Sequence, residues 1–378
     1  MSDGIYIHIP FCRTKCPYCA FASRPCTGDP PEWYIDAVIR QAARMADYHW
    51  VRQRRFATLF IGGGTPTIYS GHTLARLIKA CRDLFRLEPD AEISVEANPN
   101  TVSELKLCLL KDAGVNRLSL GVQTMEERLL AGIGRSHSRT EAIDAFRAAQ
   151  AAGFGNCSLD LIYGLPGQQL GDLVATLETA VGLAPQHISL YELMVEEGTP
   201  FSRQARRGEL ILPTEDTVVA MEEAAYSLLD QCGYQRYEIA NFSRPGFACR
   251  HNINYWLNGS YLGLGAGVVS SFAGLRIRSV ADPELFRNLV NAGLPPFSEA
   301  ECLAKPASFR ETVIMGLRMT AGIELGYLEK RFGIFAPAYY GATLDELVSQ
   351  GLLIIEAGRL RLTAQGLPLA NQALARLV

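Results

Sequence analysis

Alternating strand and helix patterns fill the first 240 residues of the chain. Six short apolar segments predict strands at Ile5–Ile9, Leu59–Gly62, Glu92–Ala97, Arg117–Gln123, Ser158–Tyr163 and His187–Leu193. The longer stretches between them have the apolar spacing of amphipathic helices. Six consecutive strand–helix units indicate an α/β protein whose parallel sheet has right-handed crossovers and is covered by helices.

The position of polar residues at the strand ends distinguishes two architectures. Six strands are too few for a closed eight-stranded barrel, so a partial barrel competes with a doubly wound sheet. Gly62–Thr65, Glu96, Gln123 and Asp160 fall at or just past the C-terminal ends of four different strands. A barrel builds its site at that edge from many strands, whereas a doubly wound sheet uses one switch point. The pattern therefore predicts a partial (β/α)6 barrel over residues 1–240.

The remaining chain predicts two further parts. Residues 241–296 form a Gly- and aromatic-rich connecting segment with little helical period, which ends at the linker Pro295–Pro296. In residues 297–378, helices are predicted near Phe309–Met319, Leu325–Phe332 and Tyr339–Gln350, followed by a hairpin of Leu352–Glu356 and Arg359–Thr363. Helices followed by a two-stranded wing indicate a winged-helix-like α+β domain at the C-terminus.

Composition and charge exclude several classes of protein. Apolar residues make up 48% of the 378 residues and charged residues 20%, as in ordinary globular proteins. The net charge is −3, and residues 301–378 hold eight Lys and Arg against seven Asp and Glu, so nucleic acid is not an expected partner. No apolar run is long enough for a transmembrane segment, and no signal peptide is evident at the N-terminus. We expect a cytoplasmic protein whose ten cysteines do not form a disulfide framework.

The strongest chemical signal is the cysteine motif directly after the first strand. Cys12, Cys16 and Cys19 lie within eight residues, in the order Cys-Arg-Thr-Lys-Cys-Pro-Tyr-Cys. Three thiolates on one short loop suit a 4Fe–4S cluster that leaves its fourth iron open to a substrate. The alternatives are a zinc site, which usually needs a distant second pair of ligands, or a coincidental grouping.

This motif resembles the signature of the radical S-adenosylmethionine (SAM) superfamily. The wider string Tyr6-Ile-His-Ile-Pro-Phe-Cys, continued by Cys-Pro-Tyr-Cys, resembles its oxygen-independent coproporphyrinogen III oxidase-like branch. That branch contains the oxidase and a group of heme chaperones. The resemblance covers essentially the whole chain and implies that the open iron binds SAM, with an electron from a reductant such as flavodoxin or ferredoxin cleaving SAM.

The resemblance also implies which residues contact SAM. The Gly-rich turn Gly63, Gly64 and Thr65 matches the segment that contacts the amino group and methionyl part. Glu96 matches the carboxylate that accepts hydrogen bonds from the ribose hydroxyls. The other matching positions are Gln123, Arg135 and Asp160, with Tyr6 beside the adenine or the cluster. Taken singly, each has an ordinary structural explanation: a tight turn, a helix-capping Glu, a surface Arg or a strand-end Asp.

A second motif lies in the connecting segment. His251 begins the pattern His-Asn-x-x-Tyr-Trp, which resembles the signature of the heme-chaperone group and implies heme ligation by its imidazole. The alternative is that these aromatic side chains close the barrel bottom or pack two domains together. Val269 stands where many family members have a histidine, so we expect no bis-histidine heme site.

At Phe21 the chain departs from the pattern of the oxidase, and this position separates the two activities of the branch. The oxidase has a further cysteine two residues after the third cluster ligand, and this chain has Phe21 there. We therefore expect a heme chaperone that passes heme to a recipient hemoprotein, as a monomer or homodimer. SAM cleavage is implied, but coproporphyrinogen oxidation is not, and no catalytic residue is named. The alternative is an enzyme of the same branch, either a decarboxylase or a radical methylase.

Overall fold

The fold, taken from a computed structural model, is described for residues 3–378. It contains seventeen strands among these residues. The strands are β1 Asp3–Ile9, β2 Phe11–Cys12, β3 Arg24–Pro25, β4 Phe56–Gly63, β5 Leu87–Ala97, β6 Arg117–Gln123, β7 Cys157–Tyr163, β8 His187–Glu192, β9 Gln235–Arg236, β10 Asn241–Ser243, β11 Tyr261–Leu264, β12 Val269–Phe272, β13 Leu275–Ser279, β14 Phe297–Cys302, β15 Ile323–Glu324, β16 Leu353–Glu356 and β17 Arg359–Leu362.

Sixteen α-helices alternate with or follow these strands in the described part of the chain. The helices are α1 Glu32–Asp47, α2 His49–Arg52, α3 Gly71–Leu84, α4 Glu104–Asp112, α5 Glu127–Gly132, α6 Arg139–Ala151, α7 Leu170–Gly182, α8 Pro200–Arg206, α9 Glu215–Gln231, α10 Arg250–Trp256, α11 Pro283–Asn291, α12 Lys305–Gly316, α13 Leu325–Phe332, α14 Ala336–Tyr340, α15 Ala342–Ser349 and α16 Ala370–Ala375. Serine side chains cap several of them; Ser138, for example, forms a capping box with Glu141 at the start of α6.

One large sheet organises the molecule. Its twelve strands run in the order β14-β13-β12-β11-β1-β4-β5-β6-β7-β8-β10-β9. The six predicted strands are confirmed as β1, β4, β5, β6, β7 and β8, which lie side by side, all parallel, in chain order. The two edge strands are not paired with each other among the described residues, so the sheet is open. This is the partial (β/α)6 barrel that the polar strand ends predict.

The connecting segment is more regular than its sequence suggests. Helix α10 lies in it, and β11 extends the large sheet by pairing in parallel with β1. Strands β12, β13 and β14 continue the sheet in antiparallel fashion. A helix of about two turns is too short to display apolar periodicity, which explains why the sequence pattern does not reveal α10. The predicted divisions of the chain at residues 240 and 296 stay predictions.

The C-terminal part has a hydrophobic core of its own. Phe309, Leu328, Leu347 and Leu360 belong to this second core, which is separate from the core of the large sheet. The predicted hairpin is confirmed as β16 and β17, and β15 completes a three-stranded sheet with them. The helix predicted near Tyr339–Gln350 is instead two helices, α14 and α15, because Gly341 interrupts the chain with a φ of 48°. This arrangement matches the predicted winged-helix-like α+β domain.

Membrane insertion by a helix finds no support in residues 3–378. None of the helices there combines the length and the apolar character that a bilayer crossing needs.

Candidate functional site

A cavity of about 400 Å³ opens at the C-terminal ends of the parallel strands. Its wall contains ten of the twelve residues that the sequence singles out, which are Cys12, Cys16, Cys19, Gly63, Gly64, Thr65, Glu96, Gln123, Arg135 and Asp160. They come from the loops and ends of β1, β4, β5, β6 and β7. Because parallel strands end at the same sheet edge, residues scattered over about 150 positions meet at one place. The cavity has the size of a small-molecule site.

The cysteine loop is anchored to the neighbouring glycine turn by the backbone. Gly64 N–H donates to the Ile9 carbonyl at 2.7 Å, and Thr65 N–H donates to the Phe11 carbonyl at 2.8 Å. A Cβ at Gly64 would lie 2.4 Å from the Phe11 carbonyl oxygen, so only glycine permits this approach. The loop that carries the cysteines is therefore fixed against the turn after β4.

The three cysteines fit a cluster better than a single metal ion. All three are free thiols that face the same cavity, and no described group of three or more His, Cys, Asp or Glu side chains is placed to hold one ion. A 4Fe–4S cluster takes each thiolate on a separate iron, so its ligands do not converge on one point. Cys26 lies outside the cavity, and its Sγ faces the carbonyl of Asp29 at 3.7 Å.

Two side chains donate hydrogen bonds toward these sulfurs. The Thr65 hydroxyl lies 3.6 Å from Cys12 Sγ, and Arg135 Nη1 lies 3.7 Å from Cys16 Sγ. Hydrogen bonds to ligand sulfurs stabilise the anionic thiolate form and tune the potential of a cluster. The loop therefore fits a 4Fe–4S cluster in its thiol number, its open cavity and its hydrogen-bond donors.

Glu96 is held at the floor of the cavity by the glycine turn. Gly63 N–H donates to Glu96 Oε2 at 3.0 Å. The pKa of Glu96 is raised to about 7: burial raises it, the hydrogen bond from Gly63 opposes the rise, and the charge of Asp160 adds to it. Gly63 has a φ of 110°, and a Cβ there would clash with the ring of His8 at 2.3 Å. A carboxylate with one oxygen engaged keeps acceptor capacity for a ligand hydroxyl.

Asp160 lies on the neighbouring wall within a group of serine hydroxyls. Ser119 donates to both of its carboxylate oxygens, at 3.0 and 2.8 Å, and Ser158 donates at 3.1 Å. Burial raises the pKa of Asp160, while these hydrogen bonds act in the opposite direction. The serines fix the orientation of the carboxylate toward the cavity.

Arg135 brings a positive charge into the cavity without a carboxylate partner. Its guanidinium donates to Asn98 Oδ1 at 2.8 Å and to the carbonyl of Gly121, and its Nε is buried without a hydrogen-bond partner. It takes part in none of the ion pairs in residues 3–378. A half-buried guanidinium of this kind suits the carboxylate of a bound ligand. Gln123 completes this wall with a φ of 71°, unusual for a residue other than glycine.

Tyr6 and His251 are the two singled-out residues that do not line the cavity. The Tyr6 hydroxyl pairs with His8 Nδ1 at 3.2 Å, and its ring stacks on those of Phe60 and His251. His251 is only 1% exposed, and its Nδ1 lies 2.7 Å from the Thr58 hydroxyl. Its Nε2 is buried without a hydrogen-bond partner. Heme ligation by His251 stays a prediction, and in this structure the imidazole belongs to a packed aromatic layer.

The helix that carries His251 is attached to the sheet through Glu92. The Glu92 carboxylate accepts hydrogen bonds from the backbone N–H groups of Arg250 and His251, at 3.0 and 3.2 Å, and the Cys249 thiol lies 3.4 Å away. A negative charge at the start of a helix is stabilised by the exposed N–H groups there. Sequence inspection does not single out Glu92, because the contact spans more than 150 residues.

One wall of the cavity is not evident from the sequence pattern. Tyr191, Leu193 and Met194, at the end of β8 and just after it, line the cavity as well. Phe21, which the sequence marks only as the position of a missing cysteine, lines the cavity too. Glu96 and Asp160 are identified as polar residues at strand ends. That criterion does not identify the residues named in this paragraph, because they are mainly apolar.

Comparison with known proteins finds two family profiles on the chain. The radical SAM superfamily profile matches residues 6–180, and the HemN C-terminal domain profile matches residues 303–369. The first match contains the ten residues of the cavity wall described above, and the second falls in the C-terminal part with its separate core.

Full-length relatives give closer matches. The chain is 37% identical over 369 residues to the heme chaperone HemW of Lactococcus lactis, with 98% of this chain and 95% of the relative covered. It is 36% identical over 368 residues to the heme chaperone HemW of Bacillus subtilis, with 97% of each covered. Among solved structures, the coproporphyrinogen III oxidase HemN of Escherichia coli matches with a TM-score of 0.86 at 23% identity, covering 100% of this chain and 90% of that chain. At that identity the likeness shows a shared fold.

Proposed function

Since the chain belongs to the radical SAM superfamily, among the proteins named heme chaperone HemW, we propose that it binds a 4Fe–4S cluster, SAM and heme and delivers heme to a target hemoprotein. The observation that carries the proposal is the cavity that brings together three free cysteines, a glycine turn, two carboxylates and an arginine without a carboxylate partner. The heme part rests on the full-length relatives, whose names state that activity.

The cysteine loop would hold the cluster. Cys12, Cys16 and Cys19 supply three thiolates, and the donors Thr65 and Arg135 stabilise the negative charge on two of them. When bound, the cluster supplies the electron for reductive cleavage of SAM. The protein fixes the geometry through the backbone hydrogen bonds between this loop and the glycine turn.

The remaining wall residues would hold SAM. Gly63 and Gly64 allow close approach to the backbone, and the free acceptor capacity of Glu96 suits the ribose hydroxyls. The guanidinium of Arg135 is a cation available for the methionyl carboxylate. Gln123 and Asp160 line the same wall. A contact between Tyr6 and the adenine or the cluster stays a prediction; the Tyr6 ring stacks on Phe60 and does not line the cavity.

Phe21 argues against coproporphyrinogen oxidation. Its side chain lines the cavity at the position where the oxidase pattern has a further cysteine, so no thiol is present there. Cys26 does not compensate, since its Sγ points to the carbonyl of Asp29. The radical methylase is the alternative that an absence of heme binding would favour.

Partners and location follow from the same proposal. A heme chaperone needs a recipient hemoprotein, and reductive chemistry at the cluster needs an electron donor such as flavodoxin or ferredoxin. All ten cysteines are free, which agrees with a reducing, cytoplasmic environment.

The experiment uses one anaerobically reconstituted preparation with a verified cluster content. One aliquot receives SAM, a chemical reductant and coproporphyrinogen III, and we expect SAM cleavage without protoporphyrinogen IX. A second aliquot receives heme and is expected to retain it through gel filtration. Formation of protoporphyrinogen IX, with the Escherichia coli oxidase as the positive control, would overturn the proposal. Loss of heme during gel filtration would also contradict it.

A further inference from the structure

A chain of polar side chains leads from the cavity wall into the interior behind it. Asp160 lies at the cavity end, and Ser158, His187 and Tyr237 follow in that order. Ser158 Oγ lies 3.1 Å from Asp160 Oδ1 and 2.8 Å from His187 Nδ1. On the other side of the ring, His187 Nε2 lies 2.8 Å from the Tyr237 hydroxyl. The last three side chains are outside the cavity wall, so they can affect a ligand only through Asp160.

A backbone contact at the far end fixes the direction of these hydrogen bonds. Cys249 N–H donates to the Tyr237 hydroxyl oxygen at 3.3 Å. Tyr237 therefore donates its single hydrogen to His187 Nε2, its other hydrogen-bonding partner in residues 3–378. A neutral imidazole has one N–H, so the hydrogen of His187 is on Nδ1 and is donated to Ser158. The Ser158 hydroxyl is left to donate to Asp160.

Burial and a neighbouring cation keep the His187 ring neutral. His187 is 1% exposed, and its burial lowers its pKa well below the ordinary value of 6.5. The charge of Arg117, which is also almost fully buried, lowers this pKa further. Because a neutral ring has a single N–H, the direction of the hydrogen bonds along the chain does not reverse at physiological pH.

The N–H of His187 determines where the Ser158 hydroxyl points. Ser158 Oγ also lies 3.4 Å from Ser189 Oγ, so a second direction is open to its hydrogen. A ring that donates to Ser158 cannot accept from it, which leaves the shorter contact to the Asp160 carboxylate as the favourable one. A carboxylate held in this way only accepts hydrogen bonds, so the ligand group that it faces must carry an N–H or O–H.

The far end of the chain is held by the C-terminal part of the protein. Thr320 N–H donates to the Tyr237 carbonyl at 3.1 Å, and the Thr320 hydroxyl donates to the Arg236 carbonyl at 3.1 Å. Glu238 forms a β-bridge with Met319. Thr320 lies between α12 and β15, so both parts of the protein fix the position of Tyr237.

We propose that His187 is a positioning residue for SAM binding, which acts through Ser158 to orient Asp160 toward a hydrogen-bond donor of the ligand. The inference rests on the proposed function, in which SAM occupies the cavity. It adds to that function a buried residue that touches neither the ligand nor the cysteine loop.

Two substitutions of His187 separate hydrogen bonding from packing. Asn and Leu have similar shapes, and both lack the outer part of the ring, but only Asn has an N–H that can donate to Ser158. SAM affinity is measured by calorimetry on cluster-loaded protein, with the iron content and the free energy of unfolding as checks on folding. We expect His187→Leu to bind SAM about five- to tenfold more weakly than His187→Asn, within the range of one hydrogen bond. Equal affinities, or weaker binding in His187→Asn, would overturn the positioning role.

A pair of tyrosine variants tests the other end and does not depend on the folding of the His187 variants. Tyr237→Phe removes the hydroxyl that donates to His187. Tyr234→Phe is the control, because it removes a buried hydroxyl that donates to the Pro185 carbonyl at 2.7 Å. We expect SAM affinity to fall about two- to fivefold in Tyr237→Phe and to stay unchanged in Tyr234→Phe. Equal affinities in these two variants would contradict the proposal.

Ser158→Ala tests the path from His187 to Asp160. This variant should weaken SAM binding at least as much as His187→Leu does, and the double variant should lose no more than about a further twofold, because both changes act on the same carboxylate. Losses that simply multiply would show that His187 acts by another route and would overturn the proposal. If the wild-type protein does not bind SAM, the proposed function itself fails. If it binds SAM and the matched variants do not differ, the positioning role alone fails.

Discussion

Thr58 Oγ1 and His251 Nδ1 lie 2.7 Å apart in a buried contact between β4 and α10. The ring of His251 also stacks on Phe60 at a centroid distance of 5.1 Å and meets Tyr255 edge-on at 4.7 Å. Burial lowers the pKa of His251 to about 3, so the imidazole is neutral at physiological pH. The contact joins the connecting segment to the inner strands of the sheet.

Replacement of His251 by Ala is therefore expected to destabilise the fold. The variant removes a buried ring from an aromatic layer and leaves the Thr58 hydroxyl without its partner, at an expected cost of about 2–4 kcal/mol in the free energy of unfolding. Denaturant unfolding followed by circular dichroism measures the change. Thr58→Val, which removes only the hydroxyl, should cost less. A change below about 0.5 kcal/mol in His251→Ala would show that the contact is unimportant for stability.

Acid should destabilise the protein partly through the same histidine. The folded pKa of about 3 lies below the ordinary value of 6.5, so this stabilising contribution is present above pH 6.5 and lost as the pH falls toward 3. In His251→Gln, the free energy of unfolding should fall less steeply than in the wild type, by up to about 1.4 kcal/mol per pH unit. Comparing the pH profiles of the wild type and His251→Gln cancels the contributions of the other titratable groups, because both proteins contain them. The exposed His49 provides the control His49→Gln, and identical pH profiles for wild type and His251→Gln would contradict the expected neutral, buried imidazole.

Cluster assembly should depend on three of the ten cysteines. Serine at Cys12, Cys16 or Cys19 removes one thiolate ligand, and each variant should lose the broad iron–sulfur absorbance near ~400 nm after anaerobic reconstitution. Cys26→Ser should keep the full absorbance and iron content, because the Cys26 thiol lies outside the cavity. Loss of the cluster in Cys26→Ser, or its retention in one of the other three variants, would require a different ligand set.

SAM affinity should depend on Glu96 and on pH. Glu96→Ala removes hydrogen bonds to a charged acceptor, each worth about 1.5–3 kcal/mol, which corresponds to about 10- to 150-fold in affinity. Because the pKa of Glu96 is raised to about 7, the fraction of ionised acceptor rises as the pH increases from 6 to 8. Calorimetry at several pH values should show wild-type affinity increasing over this range and levelling off near pH 8.

A matched pair of variants separates the carboxylate from general effects of pH. Glu96→Gln should show weak and nearly pH-independent SAM binding, whereas the exposed Glu104→Gln should behave as the wild type does. Unchanged affinity in Glu96→Ala would mean that the ribose binds elsewhere.

Local sequence patterns are sufficient to predict the barrel and part of the cavity wall. The strands are short apolar segments, and the C-terminal ends of parallel strands necessarily meet, so the pattern alone places Glu96 and Asp160 at one sheet edge. The cysteine loop follows directly from the spacing of its residues and from its position after β1.

The surroundings of His251 cannot be predicted in this way. Its motif is local, but its burial depends on Thr58 and Phe60, which lie on β4 more than 190 residues earlier. A pattern of aromatic residues is equally consistent with a ligand surface and with a packed layer, and only tertiary contacts separate the two. Met194 is not evident from the sequence for a related reason: its place in the cavity wall depends on tertiary structure and not on a local pattern.

Heme titration of the anaerobically reconstituted wild-type protein, followed by absorbance, is the most direct measurement of heme chaperone function. We expect saturable binding of one heme per chain, with a defined ligation spectrum and an unchanged iron–sulfur content. Absorbance that rises without saturation, as for free heme, would contradict the proposed function even if the cluster and SAM sites are confirmed.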